Sequence, residues 1–290
     1  MKFLHRNEES KRSINSNTFL LFITIGLFAA MYIAGMIIFE DKGFAKPQMF
    51  LNLFISNAGL LVIAVGQTIV MITGGIDISV GSVTALVCMA VANQMEHHGM
   101  NAYMAVLLAL FIGVAYGVVQ GFLISYLEIQ PFIVSLAGLF FGRGLTSMIS
   151  TEMISIKNKT FLAWANYKIY LPIGSYSRRG KFLPAYIYPT VIIALLIVII
   201  VAVIMKYTKF GREVYAVGGN EEAAKLSGVN VIKTKYIAYI FCGICAAIAG
   251  MIMLASLGSA EATAGQAYET NAIAAAAIGG TRMAGGKGTA

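Results

Sequence analysis

The sequence predicts an all-α membrane protein, a polytopic bundle of about eight or more spanning or partly spanning helices. Hydrophobic residues make up 58% of its 290 residues and charged residues only 12%, whereas roughly a quarter of a soluble domain is charged. The apolar residues form long uninterrupted runs, and the basic residues fall mostly between these runs. Such an excess of apolar surface requires contact with lipid rather than water.

Eight apolar stretches, each a predicted helix, are residues 18–39, 51–73, 82–95, 103–127, 129–151, 185–205, 236–257 and 267–280. The first is longer than the roughly 7–15 apolar residues of a signal-peptide core, so it is predicted to be an uncleaved spanning helix. The third is shorter than the roughly 20 residues that cross a bilayer. We therefore expect the preceding segment 74–81 to lie within the membrane, with its backbone facing protein or a wet cavity.

The distribution of basic residues divides the chain into an N-terminal arm, 1–17, and a transmembrane domain, 18–290. Four basic residues in the arm and six in the linker 206–235 favour a cytoplasmic location for both. Six crossings between them would return the chain to the same side. However, segment 152–184 also carries six basic residues, so charge alone leaves open whether residues 76–95 cross the membrane.

Several function classes have no support in the sequence. The net charge of +8 is spread over loops, which is typical of a membrane protein and not of nucleic-acid binding. Segment 281–288 lacks both the first glycine and the final hydroxyl of a phosphate-binding loop. No nucleophile–base pattern or metal-ligand spacing is present, so we expect no catalytic residue, no metal site and no cofactor on this chain. Cys242 and Cys245 lie within an apolar run and are interpreted as packing residues.

Segment 74–81 places the carboxylate of Asp77 and the hydroxyl of Ser79 between apolar runs, with glycines on either side. A carboxylate at membrane depth costs about 2.5 kcal/mol or more, so it normally has a partner or a function. Three roles remain open for Asp77: a ligand contact, a cap of the helix that starts near Ser79, or a hydrogen bond between helices.

Segment 210–229 contains the signals of a short helix over residues 220–227. Asn220 is a favourable N-cap, Glu221 and Glu222 suit the positive end of the helix, and Gly228 suits its termination. Such a helix can be a simple connector between spanning helices. Alternatively, a pore driven by a separate ATPase needs a rigid element of this kind for the ATPase to push against.

Two stripes of small residues at a spacing of four allow close helix packing in lipid. They are Gly113, Gly117 and Gly121, and Ala238, Cys242, Ala246 and Gly250. Packing within one subunit and a dimer interface are both possible, and we expect the former.

Three ordered motifs resemble the ribose/xylose/galactoside permeases of bacterial ABC importers. Residues 74–83 are similar to the family's Gly-Gly-Ile-Asp-Leu-Ser-Val-Gly stretch, and residues 212–229 resemble its cytoplasmic coupling loop. Residues 272–289 resemble its C-terminal glycine-rich signature. Residues 131–144 look most like the galactofuranose-type permease.

The resemblance implies the transmembrane-domain fold of ABC importers and a permease subunit that translocates a monosaccharide such as ribose or galactofuranose across the bacterial inner membrane. The implied partners are a cytoplasmic ABC ATPase that uses the ATP, a second permease in a homo- or heterodimer, and a periplasmic or extracellular sugar-binding protein, besides membrane lipid. The implied coupling residues are Asn220, Glu221, Glu222, Ala223, Ala224, Lys225, Leu226, Ser227 and Gly228. Candidate substrate-pathway or structural residues are Asp77, Ser79, Phe140, Phe141 and Asn271.

Two departures from the family pattern affect these expectations. Asn271 stands where relatives commonly have Asp, and the chain ends at Ala290, where relatives continue, so we expect it to be truncated. The main alternative is an ion- or proton-coupled secondary transporter or channel, in which Asp77 would form a relay with Arg143, Glu261 or Glu269. A membrane-embedded enzyme is a third hypothesis, opposed by the missing catalytic groups.

Overall fold

A computed structural model describes residues 16–40, 43–176, 180 and 182–288. Most of the predicted arm 1–17 lies outside these residues, as do Arg178, Arg179, Lys181, Thr289 and Ala290. The chain divides into two units, one up to Phe44 and one from Ala45 onward. The first unit contains helix α1 (Ser16–Ile38).

The second unit contains the remaining described helices and strands. Its helices are α2 (Pro47–Ile72), α3 (Val80–His97), α4 (Ala102–Ser125), α5 (Pro131–Ile149), α6 (Lys159–Ala165), α7 (Pro189–Tyr207), α8 (Lys209–Gly219), α9 (Glu221–Leu226), α10 (Val231–Leu257) and α11 (Tyr268–Ile278). All eight predicted apolar helices are confirmed, as α1 to α5, α7, α10 and α11. Among the described residues, six helices are long and apolar enough to cross a membrane, namely α1, α2, α4, α5, α7 and α10.

The predicted helical bundle is confirmed, and two small antiparallel sheets that the sequence analysis did not predict accompany it. Strands β2 (Ile169–Tyr176) and β3 (Phe182–Ile187) form a hairpin between α6 and α7. Strands β1 (Ile154–Ser155) and β4 (Ser259–Ala260) pair over a distance of about one hundred residues in sequence. The aromatic and β-branched residues in 169–187 favour strands.

Helix α10 lies at the centre of the second unit and packs against α2, α3 and α4. Both predicted stripes of small residues take part in this packing. Gly117 faces the backbone of Ile240, where an added Cβ would lie 2.6 Å from its Cα atom, and Gly250 faces the backbone of Thr84 at 2.9 Å. The stripes therefore serve close packing within one subunit, as expected, since bulkier side chains would separate the helices.

Helix α3 connects the two ends of the bundle. Its first residues follow segment 73–79, which lies beside α8, whereas Glu96 near its last turn accepts hydrogen bonds from the backbone N–H groups of Lys157 and Asn158 at 2.8 and 3.0 Å. With 18 residues, α3 is about 27 Å long at 1.5 Å per residue. We call the end that carries α8 and α9 the α9 end, and the end that carries β1 to β4 the hairpin end.

This course of α3 favours a membrane crossing by residues 76–95, one of the two alternatives that charge leaves open. Segments 152–184 and 206–235 lie at opposite ends of the bundle, because α3 spans the distance between them. Segment 73–79 lengthens the short third apolar stretch, and most of its residues are buried in protein. An irregular backbone is tolerated at membrane depth under that condition.

Candidate coupling site and the buried polar segment beside it

Helix α9 has the boundaries that the sequence indicates. The Asn220 side chain accepts a hydrogen bond from the backbone N–H of Ala223 at 2.9 Å, as an N-cap does. Gly228 follows the helix with a φ of +82°, a conformation that favours glycine. Helix α8, which precedes α9 directly, was not expected from the sequence.

One side of α9 packs against the bundle and the other is exposed. Ala224 is 4% exposed and packs in a small cluster with Val217, Val229 and Val231. Leu226 is 90% exposed. The other exposed residues of the predicted coupling set are Asn220, Glu222, Ala223, Lys225, Ser227 and Gly228. The helix therefore presents a charged and apolar surface away from the bundle.

An ion pair connects α9 to α10. The Lys235 ammonium lies 2.6 Å from Glu221 Oε2 and donates a hydrogen bond to it. Lys225, on α9 itself, lies 3.6 Å from the other carboxylate oxygen. The hydrogen bond from Lys235 is the main reason that the pKa of Glu221 lies below its usual value. Glu221 therefore faces the bundle rather than the exposed side of α9.

The three motifs singled out in the sequence meet where α8 ends. The backbone N–H of Gly286 donates to the carbonyl oxygen of Ile72 at 2.9 Å. A Cβ atom at Gly218 would overlap that same oxygen, and one at Gly285 would lie 3.0 Å from both the Gly74 nitrogen and the Gly218 oxygen. Gly285 and Gly286 adopt φ values of +83° and +74°. We call Ile72, Gly74, Gly218, Gly285 and Gly286 the glycine junction.

The glycine junction fixes where α9 sits relative to the core. Because bare backbones are in contact, α8 approaches the C-terminal end of α2 more closely than side chains would permit. Tyr215 on α8 strengthens the attachment by donating its hydroxyl to the carbonyl oxygen of Gly288 at 2.8 Å. Movement of α8 and α9 is thus connected directly to α2 and to segment 73–79.

Asp77 is 4% exposed and forms a buried polar network. Its Oδ1 accepts hydrogen bonds from the backbone N–H of Ser79 at 2.9 Å and from its hydroxyl at 2.7 Å. The Gln120 amide on α4 donates to the same Ser79 hydroxyl at 2.6 Å. With its amide oriented to satisfy both ends, Gln67 on α2 bonds to the backbone N–H and C=O of Asp77 at 3.1 and 3.0 Å. Segment 73–79 is thereby attached to α2 and α4.

A third helix, α5, is attached to the same segment. Ser135 donates its hydroxyl to the carbonyl oxygen of Ile76 at 3.3 Å, and Tyr116 on α4 donates to that of Gly138 on α5 at 2.8 Å. The gap lined by Asp77, Ser79 and neighbouring side chains is too small to admit a water molecule, so it has no space for a ligand. Among the three roles left open for Asp77, the geometry favours hydrogen bonding that holds the core together.

The candidate substrate-pathway residues do not converge on one site within this chain. Asp77 and Ser79 are buried, whereas Phe140, Phe141 and Asn271 are exposed on α5 and α11. Arg143, suggested as a relay partner of Asp77, instead donates to the backbone carbonyl oxygens of Ala262 and Ala264 at 3.2 and 2.7 Å. The exposed residues can reach a transport pathway only on the outside of this bundle.

Sequence reasoning missed Lys235, Gln67 and Gln120. Lys235 was counted as one of several basic loop residues, and nothing local shows that its partner is Glu221, fourteen positions earlier. The two glutamines could have been found, because an amide inside an otherwise apolar run is a recognisable signal of interhelical hydrogen bonding.

Comparison with known proteins identifies the family. Residues 49–287 match the model of the family described as "Branched-chain amino acid transport system / permease component". The fructose import permease protein FruG of Bifidobacterium longum is 34% identical over 263 residues, 90% of this chain and 75% of the relative. No solved structure matches the chain.

Two relatives from Escherichia coli (strain K12) are similar over comparable lengths. The inner membrane ABC transporter permease protein YjfF is 36% identical over 93% of this chain and 78% of its own length. The ribose import permease protein RbsC is 37% identical over 90% of this chain and 78% of its own length. The family description is that of permease components of transport systems. From the match over 49–287 and from these identities, the chain belongs to this family of multi-pass transport permease components.

Proposed function

We propose that the chain is the membrane permease subunit of an ATP-binding-cassette importer that carries a monosaccharide across the bacterial inner membrane. The observation that carries the proposal is α9, a short capped helix at one end of a membrane bundle, joined by the glycine junction to segment 73–79. The names of the relatives, fructose and ribose import permeases and an inner membrane ABC transporter permease, support the solute class and the membrane.

The proposal assigns a partner to each end of the bundle. A separate ATPase docks on the exposed side of α9, where Glu222, Lys225 and Leu226 are accessible, so that the α9 end and the arm 1–17 face the cytoplasm. A sugar-binding protein delivers solute at the hairpin end. A second permease, identical or different, completes the pore.

The sugar pathway is proposed to lie between the two permeases. Phe140, Phe141 and Asn271 are exposed on this chain, and aromatic rings and amides suit sugar faces and hydroxyls. The hydrogen bonds of Asp77 and Ser79 hold together the core behind these exposed residues. Galactofuranose remains a prediction for the sugar, alongside ribose and fructose. The comparisons give no support to the ion-coupled alternative.

Reconstitution tests the proposal. The chain would be co-expressed with a candidate ATPase and a candidate sugar-binding protein and placed in proteoliposomes, and uptake of radiolabelled ribose, fructose and galactofuranose would be measured. We expect uptake that requires ATP and ATP hydrolysis that rises with sugar-loaded binding protein. Uptake driven by a proton or sodium gradient without ATP would contradict the proposal.

A further inference from the structure

We infer that Lys235 is a positioning residue for transport, which holds α9 against α10 through Glu221 and makes α10 follow when α9 moves. The inference rests on the proposed function, since it assumes that an ATPase displaces α9. It assigns a role to a residue outside the predicted coupling set, on a spanning helix.

The first support is the geometry of the pair. Among the described residues, the Lys235–Glu221 ion pair is the shortest, at 2.6 Å, and the pairs made by Lys209 and Lys225 are 3.6 Å long. The Lys235 side chain is 22% exposed and that of Glu221 is 42% exposed. A short hydrogen-bonded pair with a half-buried cation is stronger and more specific than a mobile surface pair.

Since the glycine junction holds α8, the second support is the small number of buried side chains on α9 itself. The helix has six residues, too few to be stable alone. Its only buried side chain is the small Ala224, which packs against Val217, Val229 and Val231. The ion pair to Lys235 is therefore a large part of the attachment.

The third support is a cavity of about 330 Å³ between α9 and the bundle. It is lined at one side by Asn220 and Glu221, and at the other by Thr73, Lys235 and Tyr239. Close-packed interiors transmit displacement through side-chain contact, but at this cavity α9 and the bundle are not in such contact. The ion pair bridges the two sides, so displacement of α9 is transmitted to α10 through Lys235.

The consequence of that connection follows from the position of α10. This helix packs against α2, α3 and α4, so a shift at Lys235 reaches most of the bundle. The glycine junction carries the same movement to α2 and segment 73–79. Together, the two attachments convert displacement of α9 into movement of the whole core.

The first test measures how firmly the ion pair holds α9 against α10, and it needs no partner protein. Ala224→Cys would be introduced as a reporter, because the three native cysteines are buried, and labelling by a maleimide would be followed in membranes. We expect about tenfold faster labelling when Lys235→Met is added, as the loss of a charged hydrogen bond predicts. Lys235→Arg should keep the labelling rate low. The double variant Glu221→Lys with Lys235→Glu, which exchanges the two charges, should return the labelling rate to the low value of the unsubstituted pair. Unchanged labelling in Lys235→Met would overturn the inference.

The second test uses the reconstituted complex. We expect Lys235→Met to lower sugar uptake about tenfold, with partial recovery in the charge-exchanged double variant and in Lys235→Arg. Lys233→Met is the matched control, because Lys233 is exposed on the same turn and makes no ion pair among the described residues. Full uptake by Lys235→Met would overturn the coupling role. Absence of ATP-dependent uptake in the wild type would instead overturn the proposed function, while the labelling result would still stand.

Discussion

Segments 74–81 and 218–228 look alike in the sequence and differ in the structure. Both begin with paired glycines and place polar side chains between apolar runs. In the first, Asp77 is 4% exposed and hydrogen-bonded within a network that spans three helices. In the second, Leu226 is 90% exposed. Polar residues in a membrane protein can thus hold its core together or face a partner, and their surroundings decide between these roles.

The largest loss of stability is expected from a substitution at Gly218, where the two segments are in contact. Gly218→Val would push a side chain into the carbonyl oxygen of Ile72, and backbone displacement there should cost about 3 kcal/mol or more in the free energy of unfolding. The measurement is the yield of monodisperse protein in detergent and its thermal unfolding. Gly219→Ala is the matched control, since no atom lies within 4 Å of its added Cβ. Equal stability of the two variants would show that close backbone contact at the glycine junction does not stabilise the fold.

A smaller loss of stability is expected from the buried segment. Asp77→Ala leaves the N–H and hydroxyl of Ser79 without their acceptor, which should cost about 1–3 kcal/mol. Asp77→Asn keeps an acceptor oxygen and should cost less. Thermal unfolding of the two variants measures the difference. If Asp77→Ala abolished sugar uptake at unchanged stability, Asp77 would be a transport residue and the two segments would not differ in role.

The exposed segment should show the opposite behaviour. Glu222→Arg, or a glycine inserted between Ala223 and Ala224, should abolish ATP-dependent uptake while membrane insertion is retained. For the exposed Glu222 side chain, the change in stability should stay within about 0.5 kcal/mol. Uptake assays and recovery of the ATPase with the permease provide the readout. Unchanged uptake would refute the docking role of α9.

The smallest expected effect is a dependence of the mobility of α9 on pH. The pKa of Glu221 lies below its usual value of 4.5, first because of the hydrogen bond from Lys235 and also because of Lys225. A carboxylate with a lowered pKa stabilises the folded state above pH 4.5 and loses that contribution as pH falls through its lowered pKa. A spin label at Leu226→Cys should therefore keep the same mobility above pH 4.5 and become more mobile only at lower pH, as the carboxylate of Glu221 is protonated. A transition near neutral pH would contradict this assignment.

The two segments also show how far sequence reasoning reaches. The apolar runs predicted eight helices because lipid contact demands continuous apolar residues, and local capping predicted α9 because Asn220 and Gly228 act within their own turn. The partner of Lys235 and the meeting of Gly218 with Gly286 could not be predicted, since they depend on tertiary packing. The course of α3 was open for the same reason. Hairpin β2–β3 has no regular alternation of apolar and polar residues, so only its aromatic and β-branched content favours strands in the sequence.

The glycine junction has a consequence for engineering. A graft of residues 209–228 from another permease, made to redirect this chain to a different ATPase, would place a foreign residue pair against the backbone of Gly285 and Gly286, which Gly218 contacts closely here. The donor's C-terminal glycine-rich segment, about seventy positions away, would have to be transferred together with the graft. If an ATPase docks on α9 as proposed, redirecting this chain to another ATPase requires the exchange of two distant stretches together.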